Sequence, residues 1–474
     1  MAWLVLLLAG PVTARAELID SLKLGNEFPD IDSYESTGNL IDPPPINDAW
    51  AAPNHHPLGV FLDNYSLTRE QVEAAQQTGC GLVRLAVPME HFLEPEEADW
   101  ATLDQVISRL ARAGLEVLPV LTANSPIEEF YVPFCREFAT RYGPSIQYYQ
   151  LLDNINYAIG LSSQAYTDLV LPTRIAIQQA DPGALIVCGG IRGVDLTYLQ
   201  LLEAQGATRN IDVFAFNLFP TEQGLEGYSY LRSEHSLPYM EQAMAWLRQR
   251  GKQAWVTSYG VSTCYNQNGV DQVTQAAMYA RGSLYLGWIG VDRIIFAAIQ
   301  DTDPTYAVPA QCCGLLDVTG RPKASYYTMQ ALNHAIAGAY HISPEFGLMG
   351  WLYQRPDAAD MLMAAELMDV PGGDAITQFK VSNIPIYSFW FYAPQEQEYR
   401  LVYWLNSEGT YPTLLTLNVV HLGLTPDQRY ILLNQAPQPV EFQFSGNSAY
   451  IPYVPIGRIP GVIHFKVNEH GRPG

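Results

Sequence analysis

The chain has 474 residues, which is long for one domain and sufficient for a barrel of about 250 residues plus an accessory domain. Hydrophobic residues make up 48% and charged residues 16%, the composition of a packed globular chain rather than a disordered one. The formal net charge of −22 repels phosphate backbones and anionic membrane surfaces, so we expect no nucleic-acid partner.

The first segment of the chain, residues 1–16, has the pattern of a signal peptide or a short anchor. An apolar run from Trp3 to Ala9 precedes Ala14-Arg15-Ala16, which has the small-x-small form of a signal-peptidase site. The run is shorter than the roughly 20 apolar residues that cross a bilayer, so no transmembrane span is expected beyond this anchor. Residues 17–52 are acidic and Pro-rich and predict a linker or arm. The protein is therefore expected to be secreted, extracellular or in the cell envelope.

Between residues 53 and 338, short apolar runs alternate with helical patterns, which is typical of βα units around a parallel sheet. The predicted strands are Leu58–Leu62, Leu82–Pro88, Glu116–Leu121, Ile146–Leu152, Leu185–Cys188, Asp212–Asn217, Ala254–Ser258 and Arg293–Ile299. The predicted helices are 67–78, 100–113, 127–142, 164–180, 196–205, 237–249, 270–286 and 323–337. Eight strands with eight helices predict an α/β fold, the (β/α)8 TIM barrel.

The pattern changes in the C-terminal region, residues 339–474. Runs such as Tyr387–Tyr392 and Tyr399–Trp404 have the period-two pattern that predicts strands, and Pro, Gly and Asn turns separate such runs. Short strands of this kind without long helical stretches predict a β-sandwich accessory domain.

Three of the six cysteines fall on loops at one rim of the predicted barrel. Cys264 follows the seventh strand, and the pair Cys312-Cys313 follows the eighth, so a disulfide among them is a candidate. The alternative for cysteines such as Cys135 and Cys188 is that they are small buried hydrophobic side chains. The sequence contains no CxxC pair and no HExxH motif, so we predict neither a metal site nor a cofactor.

Two segments resemble strand ends of the clan A glycoside hydrolases. Tyr148–Asn156 has the outline of a strand that ends, in that clan, in Trp-Asn-Glu-Pro-Asn, and Asn154 falls on the glutamate. Ala254–Gly260 resembles the later strand that ends in Thr-Glu-Phe/Tyr-Gly, and Ser258 falls on that glutamate. Val83-Arg84-Leu85 carries the arginine that such barrels place near the nucleophile. The resemblance is nearest to families 39 and 5, spans roughly residues 57–337, and implies the barrel fold.

The resemblance also implies which chemistry has changed. In the clan, one carboxylic acid protonates the leaving oxygen and a second carboxylate about 5–5.5 Å away attacks the anomeric carbon. The amide of Asn154 and the hydroxyl of Ser258 replace neither group, so we expect no standard catalytic residue at these vacated positions. Candidates for a sugar groove are Arg84, Glu90, Asp153, Asn217, Phe219, Tyr259 and Asp301. Further aromatic candidates for stacking on sugar rings are Tyr228, Tyr230, Tyr265 and Tyr306.

Three hypotheses for the function stay open at this point. The first is a secreted, catalytically degenerate protein that binds oligosaccharide or polysaccharide, because affinity comes from groove shape and stacking as well as from acids. The second is an active glycosidase or transglycosidase with relocated carboxylates, for which Asp153, Glu222 and Asp301 are the candidates. The third is a structural scaffold of an extracellular or envelope assembly, in which the sandwich domain contacts a protein partner.

Overall fold

A computed structural model describes most of the chain from residue 57 onward. The described residues are 57–62, 67–93, 97–157, 161–220, 225, 235–264, 269–303, 305, 308–336, 338–341, 386–405, 411–417, 424–433, 435–445 and 448–467. These residues fall into two compact units, one with residues 57–341 and 431–435, the other with residues 386–430 and 436–467. The domain boundaries at residues 17, 53 and 339 remain a prediction, and the segments 1–16 and 17–52 lie outside the described residues.

The first unit contains a closed parallel barrel. The strands between residues 58 and 341 are β1 Leu58–Leu62, β2 Leu82–Pro88, β3 Glu116–Thr122, β4 Tyr148–Leu151, β5 Leu185–Val187, β6 Ile191–Arg192, β7 Val213–Leu218, β8 Gln253–Tyr259, β9 Arg293–Phe296, β10 Ala298–Gln300, β11 Gly314–Leu316 and β12 Tyr340–His341. Strands β10 and β11 pair in a separate small sheet, and β12 is not part of the barrel sheet. Strands β5, β4, β3, β2, β1, β9, β8 and β7 follow one another in the sheet. A pairing of Val187 with Val213 joins β5 to β7 and closes the ring. The predicted TIM barrel is therefore confirmed.

Helices alternate with the barrel strands along the chain. They are α1 Arg69–Gln77, α2 Glu97–Arg112, α3 Glu128–Tyr142, α4 Ser163–Ala180, α5 Leu196–Ala204, α6 Leu237–Arg248, α7 Gln272–Trp288 and α8 Ala324–Ile336. Polar side chains cap several helix starts: Thr68 and Gln71 form a capping box on α1, and Asp271 accepts from two backbone amides of α7. Within the described residues, no helix combines the length and the apolar character needed to cross a membrane.

Large side chains fill the barrel interior. Trp255 of β8 is buried and its ring lies 4.7 Å from that of Tyr148 of β4, between centroids. The guanidinium of Arg293 lies 4.7 Å above the Trp255 ring, and its Nη1 is 2.6 Å from a carboxylate oxygen of Glu116. Because this interior is packed, a ligand has access only to the loops at the ends of the strands.

The second unit is built from antiparallel strands. They are β13 Ile386–Ala393, β14 Glu398–Leu405, β15 Tyr411–Leu417, β16 Leu424–Ile431, β17 Gln438–Pro439, β18 Gln443–Ser445, β19 Ser448–Ile456 and β20 Gly461–Val467. One sheet contains β13, β14, β20, β16 and β17 in that order, and a second contains β15, β19 and β18. Trp390 and Trp404 are fully buried in this unit, which confirms the predicted β-sandwich.

Candidate functional site

Six polar side chains form a cluster at the carboxyl ends of the barrel strands, the edge where TIM barrels carry their active sites. We call it the polar cluster, and it consists of Arg84, Gln150, Asp153, Asn154, Asn217 and Thr257. Arg84 of β2 is 1% exposed. Its Nε donates to Gln150 Oε1 at 2.9 Å, and its Nη2 lies 2.9 Å from Asp153 Oδ1. The arginine is thus buried, and a carboxylate at the end of β4 compensates its charge.

The amide of Asn217 ties the ends of β4 and β7 together. Its Nδ2 donates to Asp153 Oδ1 at 2.9 Å and to Asn154 Oδ1 at 3.1 Å. The hydroxyl of Thr257 on β8 donates to Asn217 Oδ1 at 3.1 Å. Asp153 therefore accepts from both an arginine and an amide, and these contacts hold its carboxylate in a fixed position within the cluster.

The backbone around Asn154, the residue predicted to align with the clan's acid, has an unusual conformation. Leu152 has φ 67° and Asn154 has φ 49°, which places both in the left-handed region. Asparagine adopts this region more readily than other non-glycine residues because its short side chain hydrogen-bonds locally. Asn154 then begins a turn in which its carbonyl accepts from Tyr157 N at 2.9 Å. Asparagine at position 154 is therefore well suited to this left-handed backbone conformation.

Ser258, the residue predicted to align with the clan's second glutamate, lies in β8. It is 7% exposed, and its Cα is in register with that of Asn217 on β7. A serine hydroxyl attacks only when a neighbouring base removes its proton. Ser258 thus places a small neutral hydroxyl group near the carboxyl end of β8.

Two of the predicted groove carboxylates share one cleft. Glu90 and Asp153 line a cavity of about 390 Å³ between the ends of β2, β3 and β4. An oxygen of Glu90 accepts from Asn124 N at 2.6 Å, which fixes the glutamate against the β3 loop. The structure therefore brings Arg84, Asp153 and Asn217 into contact and places Glu90 on the same cleft as Asp153, while a sugar-binding role for these residues stays a prediction.

Two other groove candidates do not reach a ligand. Tyr259 is fully buried, and its hydroxyl donates to the Met278 carbonyl at 2.8 Å, so the prediction that its ring stacks on a sugar is wrong. Asp301 is 2% exposed, and Lys323 Nζ lies 2.9 Å from its Oδ2, so the prediction of a groove residue or relocated acid there is wrong as well. The structure assigns both side chains to the packed interior.

Phe219 lies half-buried at the end of β7. A Cβ on Gly260 would lie 2.3 Å from its ring, so the glycine allows the ring to lie directly on the backbone after β8. The remaining predicted residues lie outside the described residues, and these are Glu222, Tyr228, Tyr230, Tyr265 and Tyr306.

A disulfide joins the loops that follow β8 and β10. Cys264 and Cys312 are bonded, whereas Cys313 is a free buried thiol whose pKa burial raises to about 12. Asp303 lies close to the two bonded sulfurs. Its oxygens accept from the backbone amides of Thr305 and Val308 at 2.8 and 2.7 Å. Because bonded sulfurs are poor ligands and the carboxylate has partners, this group is a loop anchor rather than a metal site.

Sequence reasoning missed one exposed aromatic residue near the polar cluster. Tyr157 is 67% exposed, and the guanidinium carbon of Arg192 lies 3.9 Å from its ring centroid. The signal in the sequence was its position, three residues after Asn154 on the loop that follows β4.

Solved structures with a similar architecture include glycoside hydrolases. A family 39 glycoside hydrolase from Bacteroides cellulosilyticus superposes with a TM-score of 0.61 at 14% identity, covering 89% of this chain and 82% of that one. A glucosidase from Croceicoccus marinus gives 0.60 at 10% identity, covering 90% and 98%. A family 39 enzyme from Xanthomonas axonopodis pv. citri gives 0.55 at 12% identity, covering 88% and 95%.

Likeness at these identities establishes the fold alone, since one fold supports many activities. No protein-family model matches the sequence, and no curated protein matches it. The chain thus shares the barrel fold of these solved structures, and the resemblance of its strand ends to the clan A glycoside hydrolases stays a prediction.

Proposed function

We propose that this protein is an exported glycan-binding barrel in which the two-glutamate chemistry of the clan has been lost. The observation that carries the proposal is the composition of the polar cluster. Where the clan has its acid, Asn154 hydrogen-bonds to Asn217, and the adjacent carboxylate of Asp153 is paired with Arg84. A set of amides, one hydroxyl and one compensated ion pair binds sugar hydroxyls but supplies no proton donor for the leaving oxygen.

The cleft beside the polar cluster supports a saccharide ligand. Its volume of about 390 Å³ is at the lower end of the range for small-molecule sites, which is about 300–1,000 Å³. Glu90, Asn124 and Asp153 line it with hydrogen-bonding groups. The disulfide between Cys264 and Cys312 supports export, because such bonds persist in oxidising compartments.

Binding and turnover are tested separately on the chain without residues 1–16. A glycan array and calorimetry measure binding, and a reducing-sugar assay measures hydrolysis of the same oligosaccharides. We expect binding with no release of reducing ends above the buffer rate. The variant Asp153→Asn should lose binding because it leaves Arg84 without its carboxylate, whereas Asp168→Asn, on the exposed face of α4, should bind normally.

A restored variant with Asn154→Glu and Ser258→Glu extends the test. Turnover that appears only in this variant would support descent from a standard hydrolase. The criterion for the proposal remains the natural chain, because a glutamate at position 154 meets a left-handed backbone that costs about 1–2 kcal/mol. Hydrolysis by the natural chain would refute the proposal.

A second candidate function is hydrolysis by relocated carboxylates, and one observation favours it. Glu90 and Asp153 line the same cleft, so two carboxylates face one space. In that case the natural chain would release sugars, and both Glu90→Gln and Asp153→Asn would abolish release. Turnover that survives Glu90→Gln would rule out this pair.

A further inference from the structure

Tyr157 and Arg192 form a small exposed surface that we call the rim platform. The Tyr157 ring is 67% exposed, and the Arg192 guanidinium lies over it at 3.9 Å. A guanidinium within about 6 Å of a ring centroid is attracted by the ring's negative face. The platform therefore presents an aromatic ring and a fixed positive charge together.

Hydrogen bonds hold the rim platform in place before any ligand arrives. Asn156 Nδ2 donates to the Arg192 carbonyl at 3.2 Å, and Arg192 N donates to Asn156 Oδ1 at 2.9 Å. Tyr157 N donates to the Asn154 carbonyl at 2.9 Å, which closes a turn. These bonds fix the backbones of Tyr157 and Arg192, and the contact between the ring and the guanidinium orders the two side chains against each other. Groups that are ordered in advance lose less conformational entropy when a ligand binds.

Two separate backbone connections place the rim platform next to the polar cluster. The turn from Asn154 to Tyr157 brings their Cα atoms within about 7 Å. On the other side, Arg192 of β6 is the register partner of Asn217 of β7. A glycan with one unit at the polar cluster therefore has a neighbouring unit at the rim platform.

The charge of Arg192 indicates what this neighbouring unit carries. None of the ion pairs among the residues that the structure describes involves Arg192. The nearby carboxylate of Asp195 accepts from Tyr198 N at 2.9 Å and from Asn156 Nδ2 at 3.3 Å, so it faces a helix start and an amide. With one face of the guanidinium on the ring, its N–H edge remains suited to a planar anion such as a carboxylate.

We infer that the rim platform binds a sugar unit bearing a carboxylate, within a glycan whose other units are neutral. This inference rests on the proposed glycan-binding function and specifies its ligand class. A net charge of −22 repels a continuous polyanion, so an isolated carboxylate fits the molecule better than a chain of uronic acids. Tyr157 stacks on the ring of that unit, and Arg192 pairs with its carboxylate.

Matched ligands test the inference by calorimetry. The probes are tetrasaccharides of glucose, mannose and galactose, each neutral or with one hydroxymethyl group oxidised to a carboxylate, together with fully acidic tetragalacturonate. The natural chain should bind a singly oxidised probe about tenfold more tightly than its neutral form, a difference of about 1.4 kcal/mol. Tetragalacturonate should bind more weakly than the singly oxidised probes.

Variants of the rim platform separate its two parts. Arg192→Gln should remove the preference for the carboxylate, so that the singly oxidised probe and its neutral form bind equally, since the charge is lost while the backbone bonds to Asn156 persist. Tyr157→Ala should weaken both probes, and Tyr157→Phe, which keeps the ring, should weaken neither. Thermal melting of each variant verifies that the barrel is folded.

The outcomes distinguish this inference from the function on which it rests. Equal affinity for neutral and oxidised probes, or a preference that survives Arg192→Gln, would overturn the carboxylate assignment and leave glycan binding standing. Absence of binding to every probe would overturn both.

Discussion

The buried ion pair of Lys323 and Asp301 provides a stringent test of the barrel's interior. The side chains are 1% and 0% exposed, and Lys323 Nζ lies 2.9 and 3.1 Å from the two carboxylate oxygens. The same ammonium donates to Thr263 Oγ1 at 3.0 Å, and the backbone amide of Gly314 donates to Asp301 Oδ1 at 2.6 Å. The variant Lys323→Met removes the positive charge while it fills nearly the same volume.

The expected effect is large because the remaining carboxylate has no counter-charge. Removing one partner of a buried pair costs about 3–5 kcal/mol. For a domain of this size, each kcal/mol shifts Tm by about 2–4 °C, so we expect a fall of about 6–20 °C. Lys252→Met is the matched control. The Lys252 ammonium donates to the Ile211 carbonyl, and loss of this hydrogen bond should lower the free energy of unfolding by about 1 kcal/mol.

The pH dependence of this variant follows from the same burial. Burial raises the pKa of Asp301, and the charge of Lys323 opposes that rise. Without the lysine the pKa of Asp301 rises further, so the native state holds a proton at pH values where the unfolded carboxyl, with a pKa of about 3.9, has lost it. Stability then falls as the pH rises through this window. The deficit of Lys323→Met should be smaller at pH 5 than at pH 8.

Thermal unfolding followed by near-ultraviolet circular dichroism measures both effects. A loss below about 1 kcal/mol, or a deficit that grows as the pH falls, would refute the buried-pair argument. The double variant Lys323→Met with Asp301→Leu removes both charges and should regain most of the lost stability.

Three further predictions concern other parts of the chain. Replacing Cys264 and Cys312 by alanine should cost about 4 kcal/mol, the chain-entropy value for a separation of 48 residues, and a reductant should then have no further effect on Tm. Gly190→Ala should abolish glycan binding, because its Cβ would lie 2.2 Å from a carboxylate oxygen of Asp153 in the polar cluster. The control Gly183→Ala, whose Cβ would have its nearest neighbour at 3.6 Å, should bind normally. Equal binding by both variants would contradict the placement of the glycan site at the polar cluster. Burial raises the pKa of Glu398, but hydrogen bonds from a histidine and an arginine outweigh that effect and lower the pKa to about 2. At pH values above the ordinary glutamate pKa, the ionised carboxylate therefore stabilises the sandwich by about 3 kcal/mol, and this contribution decreases as the pH falls toward 2. Acid titration followed by tryptophan fluorescence should therefore show Glu398→Gln less stable than the natural chain at pH 7 and equal to it near pH 2.

The barrel was predictable because each of its elements carries a local signal. The second strand matches its predicted bounds, Leu82–Pro88. The alternation of apolar runs with helical patterns along the chain predicted the fold. The fourth strand ends at Leu151, one residue earlier than predicted, because Leu152 adopts a positive φ. The helix predicted to begin at residue 270 begins at Gln272, since the preceding Asp271 is its N-cap.

The site was predictable only where strand order alone brings residues together. Arg84, Asp153 and Asn217 follow from the rule that carboxyl ends of parallel strands meet. The pairing of Asp301 with Lys323 depends on side chains 22 residues apart whose contact no local pattern encodes. Strand position likewise does not reveal which way a ring at a strand end points, so Tyr259 was expected outside although it is buried.

The left-handed backbone at Asn154 limits which side chains the position accepts. At φ 49° a glutamate would meet the cost of about 1–2 kcal/mol that this region imposes on most side chains, whereas asparagine reduces that cost by local hydrogen bonding. Any attempt to engineer a catalytic acid at position 154 therefore starts from a stability deficit that other parts of the barrel have to offset.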